Sequence, residues 1–254
     1  MSESYAAEVS ARRIEERALN AWPALQQVLY DGWIIRYADG YTRRANSVMP
    51  FLGGRLSPQD KVARCEEAYG AWDLPTVFKM PPWSGADGLD RLLEDRGYAR
   101  QALTSVQTCR LEGAEPAAAS DLRFSARADG TWLAAYQEIT GADPAEMVKM
   151  RRILKGIVPE TCYALRYEAG RAVACGRSVC EGGVVGLYGI ATDPARRRRG
   201  HAARLIEGLL DRAARHGAQS GYLQVAADNA PALKLYARLG FSETYRYWYR
   251  VKAA

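Results

Sequence analysis

The chain has 254 residues, 48% of them hydrophobic and 25% charged, with a formal net charge of +6. That length admits one large domain or two of ordinary size, and the balance is that of a globular protein. No apolar run approaches the roughly 18 residues a membrane span requires, the Met1–Tyr5 start lacks the charged-then-apolar layout of a secretory signal, and the basic excess comes without the interleaved aromatics of a nucleic-acid surface. Membrane and nucleic-acid partners are therefore not expected, nor is a metal. Cys65, Cys109, Cys162, Cys175 and Cys180 are odd in number and form no Cys-x-x-Cys pair, so they read as reduced, buried thiols in a bacterial-type cytoplasm.

In chain order, Tyr5 to Ala21 has helical periodicity, and after the Trp22-Pro23 interruption Leu25 to Tyr30 is expected to add a further turn or two. Gly32 to Tyr37 reads as a strand. Asp39-Gly40 is a two-residue hairpin signal, with Tyr41 to Val48 as the return strand. Pro58 to Tyr69 is helical, Thr76 to Met80 a strand, Pro81 to Gly85 a rigid loop, Leu89 to Asp95 a helix closed at Gly97, and Ala102 to Leu111 a strand. Residues 112–120 have linker composition, which sets domains at 1–112 and 121–254 around a linker at 113–120.

The second half opens with strand Leu122 to Ser125 and helix Thr131 to Thr140; Asp143-Pro144 then caps a helix to about Leu154. A hairpin follows, Cys162 to Tyr167 and Ala172 to Val179. The short apolar run from Val184, bounded by Gly182-Gly183 and Asp193-Pro194, reads as a buried strand. An Arg-rich turn, Arg196 to Gly200, leads into an amphipathic helix carrying Leu205, Ile206, Leu209 and Leu210. Strand Tyr222 to Ala226, helix Ala230 to Leu239 and a terminal strand or hairpin to Val251 complete the chain.

The turn is the most informative stretch. A helix start carries free N–H groups and the positive end of the helix dipole; small residues let an anion approach, and the arginines add charge. Such a turn suits a polyphosphate. Arg197-x-x-Gly200-x-Ala202, after a strand and opening a helix, resembles the Q/R-x-x-G-x-G/A signature of the GNAT (Gcn5-related N-acetyltransferase) superfamily. A second block, Asn229-x-x-Ala232-x-x-Leu235-Tyr236-x-x-x-Gly240-Phe241, resembles that family's N-x-x-A-x-x-L-Y-x-x-x-G-F stretch in the right order. A faint internal repeat links Val77–Met80, the Leu89–Asp95 helix and Gly97-Tyr98 to Leu223–Val225, the Ala232–Leu239 helix and Gly240-Phe241. The first half thus looks like a degenerate copy, with Gly53-Gly-Arg-Leu-Ser57 where its own signature would lie. The expected fold is α+β: two tandem GNAT-like domains, each a central, mostly antiparallel mixed sheet flanked by helices.

The resemblance implies an acyl-CoA-dependent N-acyltransferase moving acetyl from acetyl-CoA to a primary amine of a small molecule or peptide. It implies pyrophosphate held by the amides from Arg198 to Ala202 (Arg198, Arg199, Gly200, His201 and Ala202), with Arg197 and Arg199 adding charge and His201 contributing only backbone. It further implies pantetheine along Ile190, Ala191 and Thr192, a CoA contact at Asn229, and Tyr236 as general acid beside the CoA sulfur. Histone-type relatives carry a glutamate on the organising strand where this sequence has Gly186; Tyr188, Glu181 and Glu138 are the alternatives for moving the amine's proton. The polar Arg43–Ser47 stretch is costly to bury without partners, so Trp33, Arg44 and Asn46 are expected to face the acceptor. A catalytically silent CoA-binding module and a tRNA-linked aminoacyl acyltransferase are the rival readings, and the chain is expected to be a monomer or homodimer.

Overall fold

The computed structural model describes residues 3–85, 88–111 and 121–253, with side chains from Ser10 onward. The N-terminal elements are α1 (Glu3–Ala21), β1 (Gln26–Tyr30), β2 (Trp33–Tyr37), β3 (Val48–Pro50), α2 (Pro58–Gly70), β4 (Thr76–Met80), α3 (Leu89–Asp95) and β5 (Ala99–Arg110). There follow β6 (Leu122–Ser125), α4 (Gly130–Thr140), α5 (Pro144–Lys155), β7 (Glu160–Glu168), β8 (Arg171–Glu181), β9 (Val184–Thr192), α6 (His201–Arg215), β10 (Ser220–Ala226), α7 (Ala230–Arg238) and β11 (Ser242–Lys252). The stretch expected as a linker, residues 112–120, lies outside the described residues.

The chain forms two compact units, and the division departs from a single cut along the sequence. One unit holds the residues up to Ser105, Ala226–Asp228 and the chain from Tyr245; the other holds Val106–Val225 and Asn229–Thr244. The long strands β5 and β11 each give one end to each unit. Both units carry a mixed, mostly antiparallel sheet flanked by helices, as the sequence implied.

In the first unit β1, β2 and β3 pair antiparallel, β3 meets β4 in parallel at Val48 and Phe78, and the C-terminal part of β11 pairs antiparallel with β4. The strands pack on Val62, Cys65 and Tyr69 of α2 and Leu89 and Leu93 of α3 around Phe78. Glu15 of α1 is fully buried, its carboxylate taken by Lys79 and by the Tyr245 hydroxyl at 2.8 Å. An unpaired charge there would be costly, and the Lys79 ammonium, also stacked on the Tyr247 ring, compensates it.

Two sequence expectations fail here, for local reasons. Leu25–Tyr30 is not helix: Pro23 stops α1, and Asp31-Gly32, with φ of 43° and 84°, makes a two-residue turn that pairs Tyr30 with Trp33. The hairpin signal therefore operates at Asp31-Gly32 and not at Asp39-Gly40. The return strand expected over Tyr41–Val48 does not form either; only Val48–Pro50 is extended. Asn46 instead clamps a turn, its Oδ1 accepting from Ala38 N (2.7 Å) and Gly40 N (3.1 Å), its Nδ2 donating to Tyr41 O (2.8 Å) and Thr42 O (3.0 Å). The buried Arg36 guanidinium donates to the carbonyls of Arg44, Leu19 and Trp22, tying this turn to the end of α1.

In the second unit β6, β7, β8 and β9 run antiparallel and β9 pairs with β10 in parallel. Helix starts obey their caps: Asp129 accepts from Trp132 N, and Asp143 from Ala145 N and Glu146 N ahead of α5. Helix α6 buries Leu205, Ile206 and Leu209 completely against Leu187, Ala174 and Leu223, about 1.5–3 kcal/mol for each side chain. The cysteines are free thiols, and burial pushes Cys65 and Cys175 to about 12. Among the described residues no helix is long and apolar enough to cross a membrane.

Removing the turn clamp should be read directly in stability. Asn46→Ala orphans several buried backbone groups and is expected to cost about 1–3 kcal/mol in chemical denaturation, whereas Arg43→Ala, at an exposed position, should change it by less than about 0.5 kcal/mol.

Candidate active site

The site is organised by β9. Its parallel pairing with β10 covers Val184 to Leu187 and stops at Leu187–Leu223. Immediately beyond, the β8–β9 register slips: Arg177 faces Tyr188 but Cys175 faces Ala191, so Gly189 and Ile190 stand opposite Gly176 alone. This is a bulge, and Gly189 adopts φ 60° within it. On β8, Gly176 makes room: a Cβ there would lie 2.5 Å from Ile190 Cδ1 and 3.2 Å from Leu205 Cδ2. Among the described residues β10 pairs with β9 no further than Leu187, so the β10-side edge of β9 has no β10 partner at Ile190, Ala191 and Thr192. Tyr136 of α4 packs beside Gly189.

After Thr192 the chain makes the Arg-rich turn. Asp193 Oδ1 accepts from Ala195 N (2.9 Å) and starts a single 3-10 turn. Arg197 is extended, whereas Arg198 and Gly200 both take left-handed backbone, φ 62° and 79°. An arginine in that region costs on the order of 1 kcal/mol. Helix α6 begins at His201, and Gly200 provides no side-chain cap for its first amides. A Cβ on Gly200 would meet no protein atom within 4 Å, so the space over these amides is open to a ligand. Arg197, Arg198 and Arg199 are exposed. Arg196 is instead ion-paired to Glu168, which also lies 4.0 Å from Arg199.

His201 turns its ring inward, 3% exposed, against Arg166 and 3.8 Å from Glu168. Arg166 is held by Asp121 at 2.9 Å. The side chain of His201 is therefore engaged inside the protein. Ala202, next to it, is small and half-buried.

Asn229 caps α7, its Oδ1 accepting from Ala232 N at 3.2 Å, and its side chain is otherwise exposed. Tyr236, in the last turn of α7, packs edge-on to Phe241, 6.1 Å between centroids, on the core that includes Leu187 and Leu205. Burial raises its phenol pKa above the usual range.

Tyr188 is 5% exposed, its hydroxyl bonded to that of Tyr222 and its ring 4.6 Å from the Arg177 guanidinium. These two rings explain why no glutamate stands at residue 186: a Cβ on Gly186 would lie 2.6 Å from Tyr222 Cζ and 2.7 Å from Tyr188 Cε2. Of the other candidates for a base, Glu181 pairs with Val184 at the far end of the β8–β9 hairpin from the bulge. Glu138 is exposed and bonded to Arg171 at 2.8 Å.

The residues expected to face an acceptor are engaged within their own unit. Trp33 is core, edge-on to Phe78 with Lys61 over its ring; Arg44 covers Trp22; the amide of buried Asn46 is spent in the turn. The bulge, with Gly176, Gly189 and Tyr136, is absent from the reading of the sequence. Its signal there is a glycine inside a strand pattern, which marks a bulge or a close approach.

Comparison with known proteins gives this architecture its class: the chain is an acetyltransferase of the GNAT type. A family model described as "Probable histone acetyltransferase Rv0428c C-terminal" matches residues 8–250, and the chain belongs to that family. It is 26% identical over 245 residues to the uncharacterized N-acetyltransferase YobR of Bacillus subtilis, covering 95% of this chain and 98% of that one. It is 31% identical over 177 residues to the mycothiol acetyltransferase of Clavibacter michiganensis, over 67% of this chain and 56% of the relative. A GCN5-related N-acetyltransferase from Kribbella flavida shares the fold, with a TM-score of 0.72, 18% identity and 96% of each chain covered.

The tyrosine-walled glycine gives a clean test. Gly186→Ala should overpack the Tyr188–Tyr222 pair and destabilise the fold by about 1–3 kcal/mol. Gly130→Ala, at the start of α4 with nothing within 4 Å of its Cβ, is the control, and equal costs in thermal or chemical denaturation would contradict this packing.

Proposed function

We propose that the protein transfers an acetyl group from acetyl-CoA to the primary amine of a small molecule or peptide by direct attack. The observation that carries this reading is the left-handed Arg198–Gly200 turn, open above Gly200 and placed directly after the bulged, half-unpaired end of β9. Bound acetyl-CoA would supply an activated thioester acyl group. Among the described residues no cluster of metal-holding side chains occurs. A relative named for mycothiol supports a small-molecule acceptor.

In this reading the amides from Arg198 to Ala202 hold the pyrophosphate, each charge-assisted bond contributing about 1.5–3 kcal/mol, and Arg197, Arg198 and Arg199 add positive field. The open edge at Ile190, Ala191 and Thr192 aligns the pantetheine arm. A strand amide aimed at the acyl oxygen stabilises the charge that develops there, an effect of about 10²–10³ in rate. Asn229 keeps the start of α7 in place beside the cofactor.

Tyr236 protonates the departing sulfur. Reference thiol and phenol pKa values of about 8.5 and 10 make that transfer uphill by about 2 kcal/mol. Burial raises the phenol further, yet a thiolate formed in the same apolar surroundings is destabilised in the same sense, so their difference governs the step. The raised phenol also stays protonated throughout the neutral range. Tyr188 and Tyr222, beside Arg177, relay the proton lost by the amine toward water.

Two substitutions separate donor binding from chemistry. Gly200→Glu places a side chain and a negative charge over the cradle amides and should abolish CoA binding in calorimetry; unchanged affinity would remove the donor assignment. Tyr236→Phe keeps the ring, so CoA affinity should hold while kcat falls by roughly 10²–10⁴. Because the protonated phenol is the active form, wild-type kcat should decline only above the ordinary phenol range, and Tyr236→Phe should lose that alkaline limb. The activity itself is tested by thiol release from acetyl-CoA with a broad amine panel; absence of amine-dependent release would contradict it and return the reading to the silent CoA-binding module or the tRNA-linked acyltransferase.

A further inference from the structure

The first unit repeats the order strand, loop, helix, parallel strand, helix in β3, Gly53–Ser57, α2, β4 and α3, as β9, the Arg-rich turn, α6, β10 and α7 do in the second half of the chain. Its loop also presents backbone amides just ahead of a helix, whose own start is capped by Ser57, and those loop amides already hold an anion. The Asp31 carboxylate, delivered by the β1–β2 turn, accepts from Arg55 N through Oδ1 and from Leu56 N through Oδ2, each at 2.9 Å. Lys61, one turn into α2 and 3% exposed, adds a 2.9 Å ion pair to Oδ2 and donates to the Asp31 carbonyl at 2.6 Å.

Glycine usage fits a close approach by this carboxylate. A Cβ on Gly54 would overlap the Asp31 carboxyl group, and one on Gly32 would overlap the Gly53 carbonyl. The contrast with Gly200, whose Cβ would meet nothing within 4 Å, is the difference between a filled cradle and an open one. Beside the filled cradle lies a cavity of about 610 Å³, lined by Gly53, Gly54, Leu56, Pro58, Lys61 and Trp83 among others. An anion therefore has a path to these amides if Asp31 leaves them.

We propose that Asp31 is an internal substitute for phosphate: the N-terminal half keeps a working anion cradle, but the chain's own carboxylate fills it and excludes a second pyrophosphate-bearing ligand. The exclusion is intramolecular, so an external phosphate competes against a tethered group at high effective concentration. The backbone donors at Arg55 and Leu56, with Lys61, hold the Asp31 carboxyl at about 2 instead of its ordinary 3.8. A carboxylate with a depressed folded pKa contributes stability above the unfolded pKa and loses it as pH falls through the folded one. This contribution therefore fades between about pH 4 and pH 2.

The test counts anions on the full chain. Inorganic pyrophosphate is titrated by calorimetry into wild type, Asp31→Ala and Asp31→Asn, each also in a Gly200→Glu background. Replacing Asp31 should add one pyrophosphate site per chain in either background, with a rise in Tm on adding pyrophosphate beyond that of the parent. The asparagine variant retains the shape of the carboxyl group and keeps the comparison available if the alanine variant folds only with pyrophosphate present. Rescue of the alanine variant by pyrophosphate would itself support the proposal. An unchanged site count in both Asp31 variants would overturn it, whatever the Gly200 background does. Loss of the wild-type site in Gly200→Glu tests the donor assignment separately. The acid limb of stability between about pH 4 and 2 should shrink in Asp31→Asn; an identical limb would show that the carboxylate is not held as described.

Discussion

Strand β9 must leave β10 after Leu187 and still enter the turn that opens α6, and the second unit is built around that requirement. The bulge at Gly189-Ile190 redirects the strand, Gly176 gives the bulged side chain room, and Leu205 of α6 packs against the same spot. The turn then reaches α6 only through left-handed backbone at Arg198 and Gly200. Strain at Arg198 persists because both ends of the turn are fixed, one in the sheet and one in a helix whose buried leucines anchor it. Amides that would otherwise be satisfied by a cap are left facing outward, which is what an anion requires.

The two halves build comparable loops with the same backbone physics. Each places glycine-bearing loop amides between a strand with a parallel partner and the helix that follows it. In one, the glycine faces open space and exposed arginines; in the other, it faces Asp31 and a buried lysine. Backbone amides do not distinguish a negative charge brought by a ligand from one brought by the chain. Supplying the charge internally therefore keeps the first half's loop and helix in place with no ligand bound. The same logic runs through the buried Glu15–Lys79 pair and the Arg36 guanidinium, whose donors meet carbonyls at the end of α1. In both, buried ionic groups tie α1 to the strands of its own unit.

Much of this is legible in the sequence, and the reasons differ by element. The Arg197-x-x-Gly200-x-Ala202 spacing and the Asn229–Phe241 block are local patterns, so the turn and the α7 cap can be read from residues alone. Gly186 stands out as a departure from relatives, but its cause, the Tyr188 and Tyr222 rings, lies across strands and is invisible to spacing. The turn at Asn46 reads as a strand because alternating polarity ignores a side chain that satisfies five backbone groups at once. Asp31 escapes notice for the same reason: the carboxylate and the amides it serves are more than twenty residues apart. Long β5 and β11, each shared by both units, likewise defeat any boundary drawn from composition.

One cradle is open and the other is filled, and amide-resolved NMR of the full chain during titration with CoA tests that most directly. Saturable shifts are predicted at Arg198 to Ala202 and at Ile190 to Thr192, with Arg55 and Leu56 unmoved at a ratio of one CoA per chain. Shifts at Arg55 and Leu56, or an Arg198–Ala202 segment that does not respond, would contradict it.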